Sequence, residues 1–185
     1  VDTGAMYRAM ALYLLEQKAG EQEEIASACH GADISICYEK GEQHVILNGK
    51  DVTPYLRTEE AGNMASVCSA NGEVRKHLLK LQRNLAKENN VVMDGRDIGT
   101  TILPEAEVKI FLTASPETRA RRRFLELQQK GAEDEYDHIL KDIIERDERD
   151  MNRTVSPLKQ ADDAVLVDSS ELGIDEVVDR ILSIC

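Results

Sequence analysis

The sequence of 185 residues has no tryptophan and only two phenylalanines. That removes the aromatic platform on which single-stranded nucleic acids stack. Positive charge is also in short supply, with 23 Lys and Arg against 35 Asp and Glu and a net charge of −12. Coating DNA or RNA needs a broad positive field, so no nucleic-acid partner is expected. There is no apolar run of about eighteen residues and no basic-then-apolar leader, so the expectation is a cytoplasmic protein without a membrane partner. Cysteine is sparse: Cys29, Cys37, Cys68 and Cys185 form no C-x-x-C pair and have no histidine at zinc spacing, which reads as buried or half-buried thiols rather than a metal site. His30, His44, His77 and His138 are equally scattered, and none is assigned chemistry.

What is present is an alternation of helical and strand patterns. Val91–Met93, Val108–Leu112 and Ala164–Val167 are continuous apolar runs, the mark of buried strands in a parallel sheet. Val74, Leu78, Leu81 and Leu85 recur at helical spacing, and Ile174, Val177, Val178, Ile181 and Leu182 form an apolar stripe on a closing helix. Ser115-Pro116-Glu117 is a helix start. Strands alternating with helices predict an α/β fold with a parallel sheet flanked by helices. Between Ala32 and Tyr55 the rhythm changes to two short β-type runs with glycine-containing turns, Asn48-Gly49 among them and Pro54 as a stop. This predicts a small antiparallel β insert.

Three stretches have the composition of a site for a small anion. MDGRDIGT, Met93–Thr100, follows an apolar run, so Asp94, Arg96 and Asp97 are expected at the carboxyl end of a strand, where open α/β sheets bind ligands; the alternative is an ordinary Asp-Gly turn. In ERDERDMNR, Glu145–Arg153, a helix would put Arg146, Asp150 and Arg153 on one face with Arg149 beside them. That face could grip phosphate and accept a hydroxyl proton, or it could be a solvated helix laced with pairs such as Asp142 with Arg146. In SPETRARRRF, Arg119, Arg122 and Arg123 share a face that either clamps polyphosphate as a lid closes or is simply an exposed basic helix. RTEEAGNMAS, Arg57–Ser66, is polar and small where a core helix would be apolar, which hints at a binding face.

Taken in order, VDTGAMYR, the β insert, RTEEAGNMAS, Val74-Arg75, DGRDIGT, VKIFLTAS, RARRR, RDERDMNR and VDSS resemble the bacterial cytidylate kinases, a branch of the P-loop nucleoside monophosphate kinases. The resemblance implies one kinase-like domain over 1–185, with core 1–31 and 71–185, an acceptor-binding insert at about 32–70 and a lid at about 118–133. It implies transfer of the ATP γ-phosphoryl group to CMP or dCMP by a cytoplasmic protein using Mg2+, a monomer when complete. By resemblance, Arg8, Arg96 and Arg153 surround the acceptor phosphate and Thr3 contacts it. Ser66, Arg75 and Asp97 surround the cytosine, and Arg146 and Asp150 lie near the sugar. Arg119, Arg122 and Arg123 are expected over the ATP phosphates, with Asp94 holding magnesium through water. Cytosine offers an amine donor and ring acceptors, which a carboxylate and a guanidinium can read and uracil cannot match.

The family's G-x-x-x-x-G-K-[ST] loop does not occur in these residues. In the family it precedes the segment matching VDTGAMYR, so the expectation is a chain lacking its first strand and P-loop helix, on the order of thirty-five residues, and inactive alone. A nucleotide-binding module that has lost its ATP site is the alternative, and another small acceptor is the runner-up within the kinases.

Overall fold

The computed structural model describes residues 1–131 and 135–185, which divide into two compact units, Val1–Ile98 and Gly99–Cys185.

The first unit is built on α1, Thr3–Glu16, whose start is fixed by Asp2: its carboxylate accepts the Ala5 N–H at 3.0 Å. Such a cap satisfies one of the orphan donors of a first turn. Met6, Met10 and Leu14, at helical spacing, are fully buried and form the centre of this unit's core with Ile25, Val74, Leu78 and Cys68. These come from α2, Gln22–Ala28, α3, Glu59–Cys68, and α4, Gly72–Glu88. On α4 the expected stripe is present, with Val74 and Leu78 buried and Leu81 and Leu85 packed against the core.

The antiparallel insert is present as β1, Ile34–Glu39, β2, Glu42–Leu47, and β3, Lys50–Asp51, paired in the order β1-β2-β3. Its Asn48-Gly49 turn has both residues at positive φ, +49° and +79°, the geometry that makes this dipeptide a hairpin signal. Val45 and Leu47 face the core, and Gln43 lies on the same side of β2.

In the second unit β4, Ile110–Thr113, lies parallel to β5, Val165–Asp168, in register Ile110↔Val165 through Thr113↔Asp168. Both strands sit one or two residues later than the apolar runs suggested. Ser115 caps α5, Pro116–Gln129, by accepting the Thr118 N–H at 3.1 Å, as expected. The helices α6, Tyr136–Asn152, and α7, Ile174–Leu182, complete the unit. Ala132 and Glu133, the end of the expected lid, lie outside the described residues.

Two expectations are corrected. Val91–Met93 is not a regular strand: among the described residues the segment is held by the amino group of Val1 donating to Val92 C=O and by a single parallel bridge between Asp2 and Asp94. Nor are the apolar runs uniformly buried. Leu112, Val165 and Leu166 are exposed, as are Val92 and, on α7, Ile174, Val178 and Leu182. A sheet of two strands offers too little area to cover both its faces and a helix stripe.

Candidate nucleotide site

In the first unit the sequence places Thr3 and Arg8 on α1, and the fold brings the DGRD segment to the start of that helix. Asp94 N–H donates to Val1 C=O at 3.0 Å, and Thr3 N–H and Oγ1 donate to Asp94 C=O at 3.2 and 2.7 Å. Gly95 is what permits this approach, since a Cβ there would lie 2.5 Å from Thr3 Oγ1 and 2.9 Å from Ile98 Cδ1. The Asp94 carboxyl reaches solvent, yet the protein packed around it and then the neighbouring Asp2 charge push its pKa up. A carboxylate in that state favours a nearby cation.

Arg75 and Asp97 form a buried ion pair, their side chains 7% and 6% exposed. Arg75 also donates to Ser69 C=O at 3.1 Å and stands over the Tyr7 ring, 5.5 Å from its centre. Its Nε is buried without a partner. A buried donor left unmet costs free energy that an acceptor on a ligand would recover. Ser66 is half-buried on α3, and Arg96 is exposed beside Asp97.

A cavity of about 270 Å³ in this unit is lined by Arg8 and Arg57, with Asp2, Gln43, Thr53 and Leu56 among its walls. Arg57 was visible in the sequence only as the first letter of a polar stretch. Its pairing with Arg8 across a cavity needs the insert folded back onto α1. Gln43 carried no sequence signal at all.

In the second unit α6 confirms the helical reading of ERDERDMN. Arg153, its C-cap, donates to Asp150 at 3.5 Å and to Ser156 C=O at 2.6 Å, with Asp150 buried and Arg146 half-buried on the same face. The three α5 arginines have protein partners. Arg119 holds Asp147 through both terminal nitrogens at 3.1 and 2.5 Å and donates from Nε to Ala114 C=O at 3.0 Å. Arg122 donates to the carbonyls of Ser169 and Leu172 at 2.6 and 3.1 Å. Arg123 pairs with Glu126 at 3.0 Å, and Lys130 and Arg123 together hold the Glu126 carboxyl down at about 2. A guanidinium that grips a carboxylate bidentately has the geometry for a phosphate as well.

The four cysteines are free, Cys29 and Cys68 buried but Cys37 and Cys185 exposed, which corrects the expectation for those two. Among the described residues no group of three His, Cys, Asp or Glu could by itself hold a metal ion, and no helix is long and apolar enough to cross a membrane.

The mixed α/β fold, with its parallel pair of strands and small antiparallel sheet, is that of the nucleoside monophosphate kinases, which are phosphotransferases. The model of one family, cytidylate kinase, matches residues 1–185. The cytidylate kinase of Caldicellulosiruptor saccharolyticus is 48% identical over 186 residues, covering 100% of this chain and 82% of that protein. Those of Lactobacillus johnsonii and Bacillus subtilis are 47% and 44% identical, covering 100% and 98% of the chain and 81% and 82% of the relatives. The chain belongs to the cytidylate kinase family.

Proposed function

We propose that the chain binds CMP or dCMP as the acceptor in a reaction that moves the γ-phosphoryl group of ATP onto it, giving the diphosphate. The observation that carries this reading is the cavity shared by Arg8 and Arg57. Its volume, about 270 Å³, is near the lower end for small-molecule sites, and two guanidiniums on its walls suit a phosphate monoester. Arg8 and Arg96 hold that phosphate with the help of Thr3, and Arg75, Asp97 and Ser66 read the base. Asp97 accepts from the cytosine amine, a contact that the uracil carbonyl would turn into repulsion. In the second unit Arg146, Asp150 and Arg153 form a cluster whose charges and hydrogen-bonding groups suit a phosphate and a sugar hydroxyl.

Phosphoryl transfer asks little covalent work of a protein, and positioning with charge neutralisation carries most of the catalysis. Arg119, Arg122 and Arg123 are the donors to the ATP phosphates, exchanging their present carboxylate and carbonyl partners for phosphate oxygens. Mg2+ binds through one or two carboxylates while keeping several waters and sharing substrate phosphates. Asp94, with its raised carboxyl beside Asp2, fits that water-mediated role, and the ion when bound neutralises charge on the phosphate oxygens.

Calorimetric titration of the chain with CMP, dCMP and UMP tests the reading. CMP and dCMP should bind, UMP should bind at least tenfold more weakly, and Arg8→Ala should weaken CMP by about ten- to a hundredfold, the range for a lost charged hydrogen bond. Equal affinity for CMP and UMP would remove Asp97 from base reading. An unchanged Arg8→Ala would remove the cavity from phosphate binding.

A further inference from the structure

We propose that Gln43 is a positioning residue for the acceptor pocket, its side-chain amide taking the place of a neighbouring β-strand to lock the insert onto Asp2. The functional part of this rests on the reading that the cavity takes the acceptor phosphate.

The backbone of Asp2 is extended, and one edge of it is already used. Val1 C=O accepts from Asp94 N–H and Thr3 N–H donates to Asp94 C=O, which leaves the N–H and C=O of Asp2 itself on the opposite edge. An edge of this kind presents an unpaired donor and acceptor that must find partners. Among the described residues no strand supplies them. Instead Gln43 Oε1 accepts the Asp2 N–H at 2.9 Å, and Gln43 Nε2 donates to Asp2 C=O at 3.2 Å. Because a backbone N–H only donates and a C=O only accepts, this pairing fixes which end of the amide is which. Tyr38 of β1 donates its hydroxyl to the same Oε1 at 3.2 Å, bracing the side chain from the adjoining strand.

The consequence lies in what the two ends of the clasp carry. Asp2 caps α1 six residues before Arg8, and it is bridged to Asp94 at the head of the DGRD segment. Gln43 lies on β2 of the insert, which leads through β3 to Thr53, Leu56 and Arg57. Asp2, Gln43, Arg8 and Arg57 line one cavity. The amide therefore sets the separation between an arginine on the helix and an arginine on the insert, and two guanidiniums gripping one phosphate tolerate little error in that separation. A leucine of similar size would fill the space but leave both Asp2 groups to water and the insert free to shift.

The test uses the full chain with Gln43→Leu and Gln43→Glu. Gln43→Leu should bind CMP about tenfold more weakly by calorimetry, the loss expected for two hydrogen bonds, with melting temperature within about 2 °C of the parent. Hydrogen exchange should quicken in the peptides covering 1–8 and 38–47. In Gln43→Glu the carboxylate opposes the Asp2 carbonyl at neutral pH, while its protonated form restores the missing donor. The ratio of its CMP affinity to that of the parent should therefore rise toward one as pH falls from about 7 to about 4, through the ordinary range of a glutamate carboxyl. Parent-like CMP binding by Gln43→Leu, or a Gln43→Glu deficit that does not change with pH, overturns the proposal. Should the parent itself not bind CMP, the reading of the cavity falls, and the exchange measurement alone decides the clasp: unchanged protection of both peptides in Gln43→Leu refutes it.

Discussion

Replacing Asp97 with Asn strands a buried charge. Arg75 would keep its hydrogen bond to Ser69 C=O and the face of Tyr7, but with its side chain 7% exposed it could not regain water. Breaking a buried pair from one side costs about 3–5 kcal/mol. Because Ser69 and Tyr7 offer some compensation, the lower end is expected, about 3 kcal/mol. For a protein of this length each kcal/mol moves the melting temperature by about 2–4 °C, so Asp97→Asn should melt about 6–12 °C below the parent. Arg75→Met, which takes the guanidinium away from the buried carboxylate, should also destabilise the protein. The decisive comparison is Arg75→Met combined with Asp97→Asn, where no charge is left buried: it should lose less than the sum of the single changes by at least about 2 kcal/mol. Urea unfolding of the four proteins in one buffer measures all of this. Losses below about 1 kcal/mol in the single variants, or simple additivity in the double, would refute the claim that the pair is desolvated and coupled.

Gly95→Ala should disrupt the contact between the DGRD segment and α1, because a Cβ 2.5 Å from Thr3 Oγ1 forces one of them to move; expect a clear drop in melting temperature and weaker CMP binding in titrations. The insert should respond to pH at both ends of the scale. Hydrogen bonds from Thr53, then the one from His44, hold the exposed Asp51 carboxyl down at about 2, so its stabilisation is complete above its unfolded value near 4 and is lost as pH falls toward about 2. The same pairing with Asp51, supplemented by the charges of Glu39 and Glu42, raises His44, so that part is present in acid and is lost as pH rises through the raised value. Asp51→Asn should flatten both limbs of a melting-temperature profile. Native protein should react with a thiol reagent at Cys37 and Cys185 first, because burial pushes Cys68 up to about 12 and raises Cys29. Labelling of four thiols at equal rates before unfolding would contradict the packing around α1.

The order of helices and strands could be read along the chain, since each rests on local chemistry. Ser115 before Pro116, the spacing of Val74 and Leu78, and the Asn48-Gly49 turn act within a few residues of themselves. The arginines and carboxylates of DGRD and RDERDMNR could also be picked out by type and spacing. Which of them meet could not. Asp97 finds Arg75 from 22 residues away, and Arg119 finds Asp147 from 28, through packing that no local pattern encodes.

Burial was the property least legible in sequence. The runs around Leu112, Val165 and Leu166 have the hydrophobicity of an interior strand, but burial depends on how much of the rest of the fold reaches them, and each keeps an exposed surface. The sequence by itself determined the α/β alternation, the antiparallel insert and the residue types that mark a phosphate site, because helices, hairpins and charges are set by neighbours in the chain. The tertiary structure alone decided that Arg57 shares a cavity with Arg8, that Arg75 and Asp97 leave water together, and that Gln43 completes the backbone of Asp2 from 41 residues away. Those depend on chain segments returning to one another, and only the packed core of α1 and the insert fixes where they return.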